Sequence, residues 1–310
     1  MVNEVTRVRL IAMKPEFECL RCILTTRLRE LENTRVDTNK KLIVARKLMG
    51  YIAGEFSLTS ELTIIASNSF NLVVNEVPEV SEYYSRIKKA CNESALKNIA
   101  VHEKYVEELS GFERFEYLVK LSAIGNLIDY GVADHEAVKP EFVNPGFVKA
   151  VNYCVNHTEK FYHAVKNGGK RVLWLFDNNG EAVYDILLVK EIKRMGNVVW
   201  GLVKNDPGFQ NDVTVRDAVE LGLTRFLDNL VAYGCSSSTI HLDRIGQDAK
   251  QLLNEADLVV AKGMSHYEYL SETDLGKPIV FILVPKCRPV ARRIGNEKCQ
   301  GGVVVYFKDE

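Results

Sequence analysis

Four short runs carry residue types able to hold a cation and a phosphate. Asp177-Asn178-Asn179-Gly180-Glu181 follows one β-rich run, and Lys204-Asn205-Asp206, a Pro207-Gly208 turn and Asn211-Asp212 follow the next. Lys262-Gly263 through His266 and Glu268 follows a third, and Pro285-Lys286-Cys287 a fourth. Asp and Asn oxygens are hard ligands, and a set without thiolate or imidazole suits Mg²⁺ or Mn²⁺ better than zinc. An ion there would bind a phosphoryl oxygen while the Lys262 and Lys286 ammonium groups neutralise the rest of the phosphate. Taken singly, each run has a plainer reading as an N-cap, a turn or a solvated lysine. Their recurrence at several strand ends outweighs it, because open α/β sheets bind ligands there.

Other chemistries lack their parts. No GxGxxG or GxxxxGK[ST] follows a strand, and no GxSxG elbow exists. Asn178 and Asn179 stand where an aspartyl-phosphate mechanism would need a second acid. His102, His135, His157, His163 and His241 show no paired ligand spacing. The seven cysteines are an odd, scattered set, which argues against a disulfide scaffold and for a reducing compartment. Only Cys19-Leu-Arg-Cys22 is closely spaced, on one face of a helix, where it could bind a second metal, sense redox state or simply pack.

The elements that must position these residues change character midway. Six of the 20 glycines fall in residues 1–165 and fourteen in 166–310. Glycine is costly inside helices, so the first half reads as helical. Helices are expected over Glu16–Asn33, Asp37–Gly54, Thr59–Val74, Glu79–Leu109 and Phe112–Asp129. In the second half strands are expected at Arg171–Phe176, Val198–Val203, Thr239–Leu242, Leu258–Ala261, Pro278–Val284 and Gly302–Phe307. Helices intervene at Ala182–Met195, Val213–Leu221, Asp243–Glu255 and Pro289–Ile294. Near-continuous apolar strands separated by helices imply a mostly parallel sheet covered on both faces. The expected architecture is α/β, a doubly wound three-layer sandwich over 166–310 with an all-helical N-terminal region over 1–165, possibly in two subdomains. The segment from Gly131 to Gly146, with Pro140 and Pro145, links the halves.

Composition bounds the partners. Hydrophobic residues make 46% and charged residues 26%, an ordinary globular mix. Forty basic against 41 acidic residues leave a net charge of −1, no bulk field for nucleic acid or an anionic membrane. The longest apolar run, Ile279–Val284, is far short of the roughly 18 residues a membrane span needs. With no secretory signal in Met1–Lys14, a cytoplasmic chain is expected; nothing in it sets an oligomeric state.

Together these stretches resemble the metal-dependent damage-control phosphatase family, in its CxxC-bearing branch. The matching residues are Cys19-Leu-Arg-Cys22, Gly125-Asn126-Leu127-Ile128-Asp129 and Asp177-Asn178-Asn179-Gly180-Glu181 with Asp185. Asn211-Asp212-Val213-Thr214 with Asp217, Lys262-Gly263 through Tyr267-Glu268, and Lys286-Cys287 with Val290-Ala291 complete the set. The resemblance implies a divalent metal (Mn²⁺, Co²⁺, Ni²⁺ or Mg²⁺) held by Asp177, Asn178 and Asp212. It implies hydrolysis of a small phosphorylated metabolite, with Lys286 and the 264–268 loop on the phosphate and Asn126 and Asp129 closing the site. Lys262 and Lys286 would stabilise equatorial charge, and Asp212 or Glu181 would orient water or take its proton. Met264, Ser265 and His266 depart from the family's usual polar, small and Asn residues after Lys-Gly. A non-catalytic phosphometabolite-binding module is the alternative; a methyltransferase lacks its glycine-rich loop.

Overall fold

Residues 172–176 alternate strictly between two apolar environments, which is how a strand buried on both faces must behave. In the computed structural model, which describes residues 13–129, 138–139, 142–295 and 297–309, Val172, Trp174 and Phe176 enter one core, and Leu173 and Leu175 the other. Seven strands form one sheet in the order β1-β7-β6-β5-β2-β3-β4. They are β1 (Tyr153–Asn156), β2 (Arg171–Leu175), β3 (Val198–Val203), β4 (Asn229–Ala232), β5 (Leu258–Lys262), β6 (Ile279–Leu283) and β7 (Val303–Lys308). Every pair is parallel except β6 with β7. The chain runs outward from β2 through β3 to β4, then returns to place β5 on the other side of β2. The gap beyond the carboxyl ends of β2 and β5 is therefore the topological switch point, where such sheets bind ligands.

Helices cover both faces. α5 (Gly111–Gly125) lies along α8 (Glu181–Arg194), joined by α4 (Glu79–Glu107) and α7 (Thr158–Val165). The opposite core takes α1 (Phe17–Glu32), α2 (Thr38–Glu55) and α3 (Leu62–Glu76), with α10 (Gln247–Glu255) and α11 (Gly263–Leu270). α6 (Pro145–Ala150), α9 (Val215–Glu220) and α12 (Arg288–Ile294) are short connectors. The all-helical first half is thus divided, with α5 serving as a layer of the sandwich. No helix among the described residues is long and apolar enough to cross a membrane.

Three expectations are corrected. Thr239–Leu242 is a buried loop and β4 lies earlier, at 229–232. Its β-branched and apolar residues are buried because the loop packs beneath α3, where Thr63 Oγ1 meets His241 Nε2 at 2.9 Å. The helical region does not run unbroken to 165, since β1 pairs with β7 inside the sheet. Cys154 and Cys299 are joined by a disulfide that ties β1 to the segment before β7. Of the expected linker, Gly131 and Pro140 lie outside the described residues, as does His135.

Candidate active site

The turn after β2 is built to aim side chains. Gly180 has φ +80° and presses against Cys91 of α4, where an added Cβ would lie 3.1 Å from Cys91 Cβ. The Gly180 amide donates to Asn92 Oδ1 at 2.7 Å. Across from it, Val213 N donates to Asp177 O at 2.7 Å and Asn179 N to Asn211 O at 2.9 Å. These bonds form a short antiparallel bridge between Asn178 and Asp212, so the two acidic loops expected to cooperate are physically one unit. Thr214 and Asp217 close a capping box on α9 just beyond it, and Lys88 of α4 pairs with Asp217 at 2.9 Å.

Asp177, Asn178, Asp212 and Asp129 all face one cavity of about 560 Å³, whose wall also includes Cys19, Cys22, Arg27, Gln210, Met264, Ser265, Glu268 and Cys287. Asp177 Oδ2 accepts from Asn126 Nδ2 at 2.9 Å and Asn178 Nδ2 at 2.7 Å. Among the described residues it has no ion-pair partner. Burial, then the neighbouring Asp212 and Glu181 charges, hold its carboxyl well above the usual range. Asp212 is pushed up to about 7 by burial despite Lys204, 3.5 Å away. Asp129 meets Lys286 Nζ at 2.5 Å. Asp177 thus lies among buried acids that oppose its ionisation, with no ion-pair partner among the described residues to offset them. Asp177 and Asp212 together with a rotatable Asn amide are the hard oxygen set a divalent cation requires. Asn178 now turns its amide nitrogen to Asp177, so offering its oxygen instead requires that amide to turn over. The donor set fits a divalent ion.

Other expected site residues stand elsewhere. Lys262 is fully buried behind the cavity wall, bonded to Ser122 O and Oγ (2.8 and 2.7 Å) and paired with Glu181 (2.9 Å) and Asp185 (3.2 Å). Glu181 is likewise fully buried, its Oε2 accepting from Asn126 and Asn178. Neither lines the cavity, and nor do Lys286 and Lys204, which are also buried behind its wall. His266 is also turned away: Nδ1 contacts Lys262 O at 2.6 Å and Nε2 the Tyr233 hydroxyl. Burial drives its pKa well down. Gly263 has φ +78°, and an added Cβ would lie 1.9 Å from Asp177 Oδ2. Its bareness is what admits the acid. Cys19 is pushed up to about 12 by burial and is a protonated thiol rather than a nucleophile.

Lys204, which directly follows β3, is named in its loop without a role from the sequence, and its place after a strand is the signal that marks it. Arg27 and Gln210 carry no comparable motif.

A cleft lined by buried acids at the switch point of a doubly wound sheet marks a ligand-binding α/β protein. The family model "Damage-control phosphatase ARMT1-like domain" matches residues 17–300, and the chain belongs to that family. It is 37% identical over 225 residues to a damage-control phosphatase of Archaeoglobus fulgidus, covering 72% of this chain and 75% of that protein. Damage-control phosphatase PH1575 of Pyrococcus horikoshii is 27% identical over 304 residues, covering 96% and 99% of the two chains. A crystal structure of a DUF89 family protein from Pyrococcus horikoshii superposes with a TM-score of 0.81 at 25% identity, over 96% of this chain and all of the other.

Proposed function

We propose that this chain is a metal-dependent phosphatase that hydrolyses phosphate monoesters of small metabolites, phosphosugars or damaged phosphometabolites. The observation that supports the reading is the bridge between the two acidic loops, which brings Asp177 and Asp212 to one cavity. Asp177, Asn178 and Asp212 would hold Mn²⁺, Co²⁺, Ni²⁺ or Mg²⁺, which supplies charge neutralisation and polarisation of a phosphoryl oxygen and a water.

The chain's own groups do the rest. Asn126 fixes the Asp177 carboxylate, and Glu181 fixes Asn126 and Asn178 from behind. Lys262 balances Glu181 and Asp185, so the support is rigid and dry. Lys286, paired with Asp129 just behind the cavity wall, would direct its charge toward the phosphate, and Asp212 or Asp129 can orient an incoming water. Glu268, pushed up to about 7 by burial, can lend a proton to the leaving oxygen near neutrality. Cys19 and Cys22 line the same cavity and fit packing best, Cys19 being held as a thiol.

The test is a screen of phosphosugars and cofactor phosphates with and without each of the four metals. Phosphate release that requires metal and vanishes in Asp177→Ala supports the reading. Tight phosphosugar binding without turnover under every metal would replace it with a non-catalytic binding module.

A further inference from the structure

Arg27 of α1 is only 3% exposed and reaches the wall of the same cavity. Its guanidinium carbon lies 4.9 Å from the centre of the Phe70 ring and 5.7 Å from that of Phe209, so two aromatic faces fix its plane. Nη2 pairs with Glu30 Oε1 at 3.1 Å. That same oxygen already accepts from Tyr84 Oη at 2.6 Å and Gln210 Nε2 at 3.4 Å. Among the described residues, Nε and Nη1 have no acceptor at all. A buried, permanently charged group with two idle nitrogens is expensive, and native proteins leave such groups where a ligand completes them.

The neighbouring backbone is shaped to the same end. Phe209 and Gln210 belong to the loop that ends at Asp212, and Gln210 holds φ +49°, a left-handed conformation unusual for a residue with a side chain. Glu30 carries the idle oxygen Oε2 as well. Arg27 shares the cavity wall with Asp177 and Asp212. A cavity of about 560 Å³ has room for more than one phosphate.

We propose that Arg27 forms a second anion subsite, and that the preferred substrate carries another anionic oxygen group besides the scissile phosphate. This rests on the phosphatase reading above. In it Arg27 determines specificity and takes no part in the bond-breaking step. Glu30 is its internal counter-charge, holding the guanidinium in place and competing with the incoming anion.

The experiment uses pairs that differ at the remote group alone: 6-phosphogluconate against sorbitol 6-phosphate for a carboxylate, and fructose 1,6-bisphosphate against fructose 6-phosphate for a second phosphate. With Mn²⁺ present, the doubly anionic member of at least one pair should be favoured in kcat/KM by roughly tenfold or more. Arg27→Gln should bring that ratio close to one, chiefly through KM. Arg27→Lys should keep part of it, and Glu30→Gln should raise it. Whichever pair responds identifies the remote group as carboxylate or phosphate. If Arg27→Gln alone does not fold, the Arg27→Gln/Glu30→Gln protein, which lacks both charges, gives the same reading. Equal preference within both pairs in the unaltered protein, or a ratio that survives loss of the guanidinium, overturns the proposal. If no ester is hydrolysed at all, the phosphatase reading fails separately. Calorimetric binding of 6-phosphogluconate and sorbitol 6-phosphate then decides the subsite: a difference lost in Arg27→Gln supports it, and equal binding rejects it.

Discussion

At the scale of single residues, the site is a contest between burial and charge. Asp177 is ionised only at a cost, because burial and two neighbouring carboxylates all oppose its anion. It nevertheless receives two amide N–H bonds suited to a carboxylate. Such an arrangement makes sense when a cation completes it. Asp177→Asn should therefore act in opposite directions on function and stability. Metal-dependent turnover should fall on the order of a thousandfold. The melting temperature in chelator should rise by a few degrees, since a buried repulsive charge is gone. Melting curves in EDTA check the second half; a marked drop would mean that Asp177 is a structural anchor rather than a waiting ligand.

At the scale of elements, the β5–α11 junction has the least tolerance. Gly263 begins α11 in a left-handed conformation with Asp177 Oδ2 where its Cβ would be. Gly263→Ala must displace the Asp177 carboxylate and also strain the backbone by about 1–2 kcal/mol. The expected outcome is loss of Mn²⁺ binding by calorimetry with an unchanged far-ultraviolet dichroism spectrum. Retained stoichiometric binding would show that the junction is looser than its geometry. The same junction explains what was legible beforehand. Helix stops and buried strands at 171–175, 198–203 and 279–283 were readable because their period and flanking residues are local facts. The strand ends then pointed to Asp177 and Asp212 by position alone. What captures each lysine was not readable: Lys262 and Lys286 both come at strand ends, yet Lys262 is held by Ser122, Glu181 and Asp185, and Lys286 by Asp129, all distant in sequence. Thr239–Leu242 failed for a related reason, since burial beneath α3 selects the same residue types as a strand does. β4, short and only half-buried at the sheet edge, left no such trace.

Across the whole molecule the buried carboxyls set how stability responds to pH. Asp185, beneath the site, and Glu268, on the cavity wall, are each pushed up to about 7 by burial, against the attraction of Lys262 and Lys286 respectively. In an unfolded chain such groups release their protons near roughly 4. Between those values the folded state binds more protons than the unfolded one, so stability falls as pH rises from about 4 to about 7. Surface pairs work in the other direction. Glu76, hydrogen-bonded to Lys47 and Lys40, and Asp257, to Arg171, are held down to about 2, and their contribution is lost only as pH drops through that range. The metal-free protein should therefore be most stable on the acid side of neutrality. Urea unfolding in EDTA at pH 5 and pH 7.5 should give a lower midpoint at the higher pH, and Glu268→Gln should shrink that difference. Saturating Mn²⁺ should raise the midpoint at pH 7.5, because an ion bound by the folded state alone stabilises it by mass action. A midpoint that climbs between pH 5 and pH 7.5 without metal would mean that the buried carboxyls ionise without penalty, leaving no burial cost for a cation to offset.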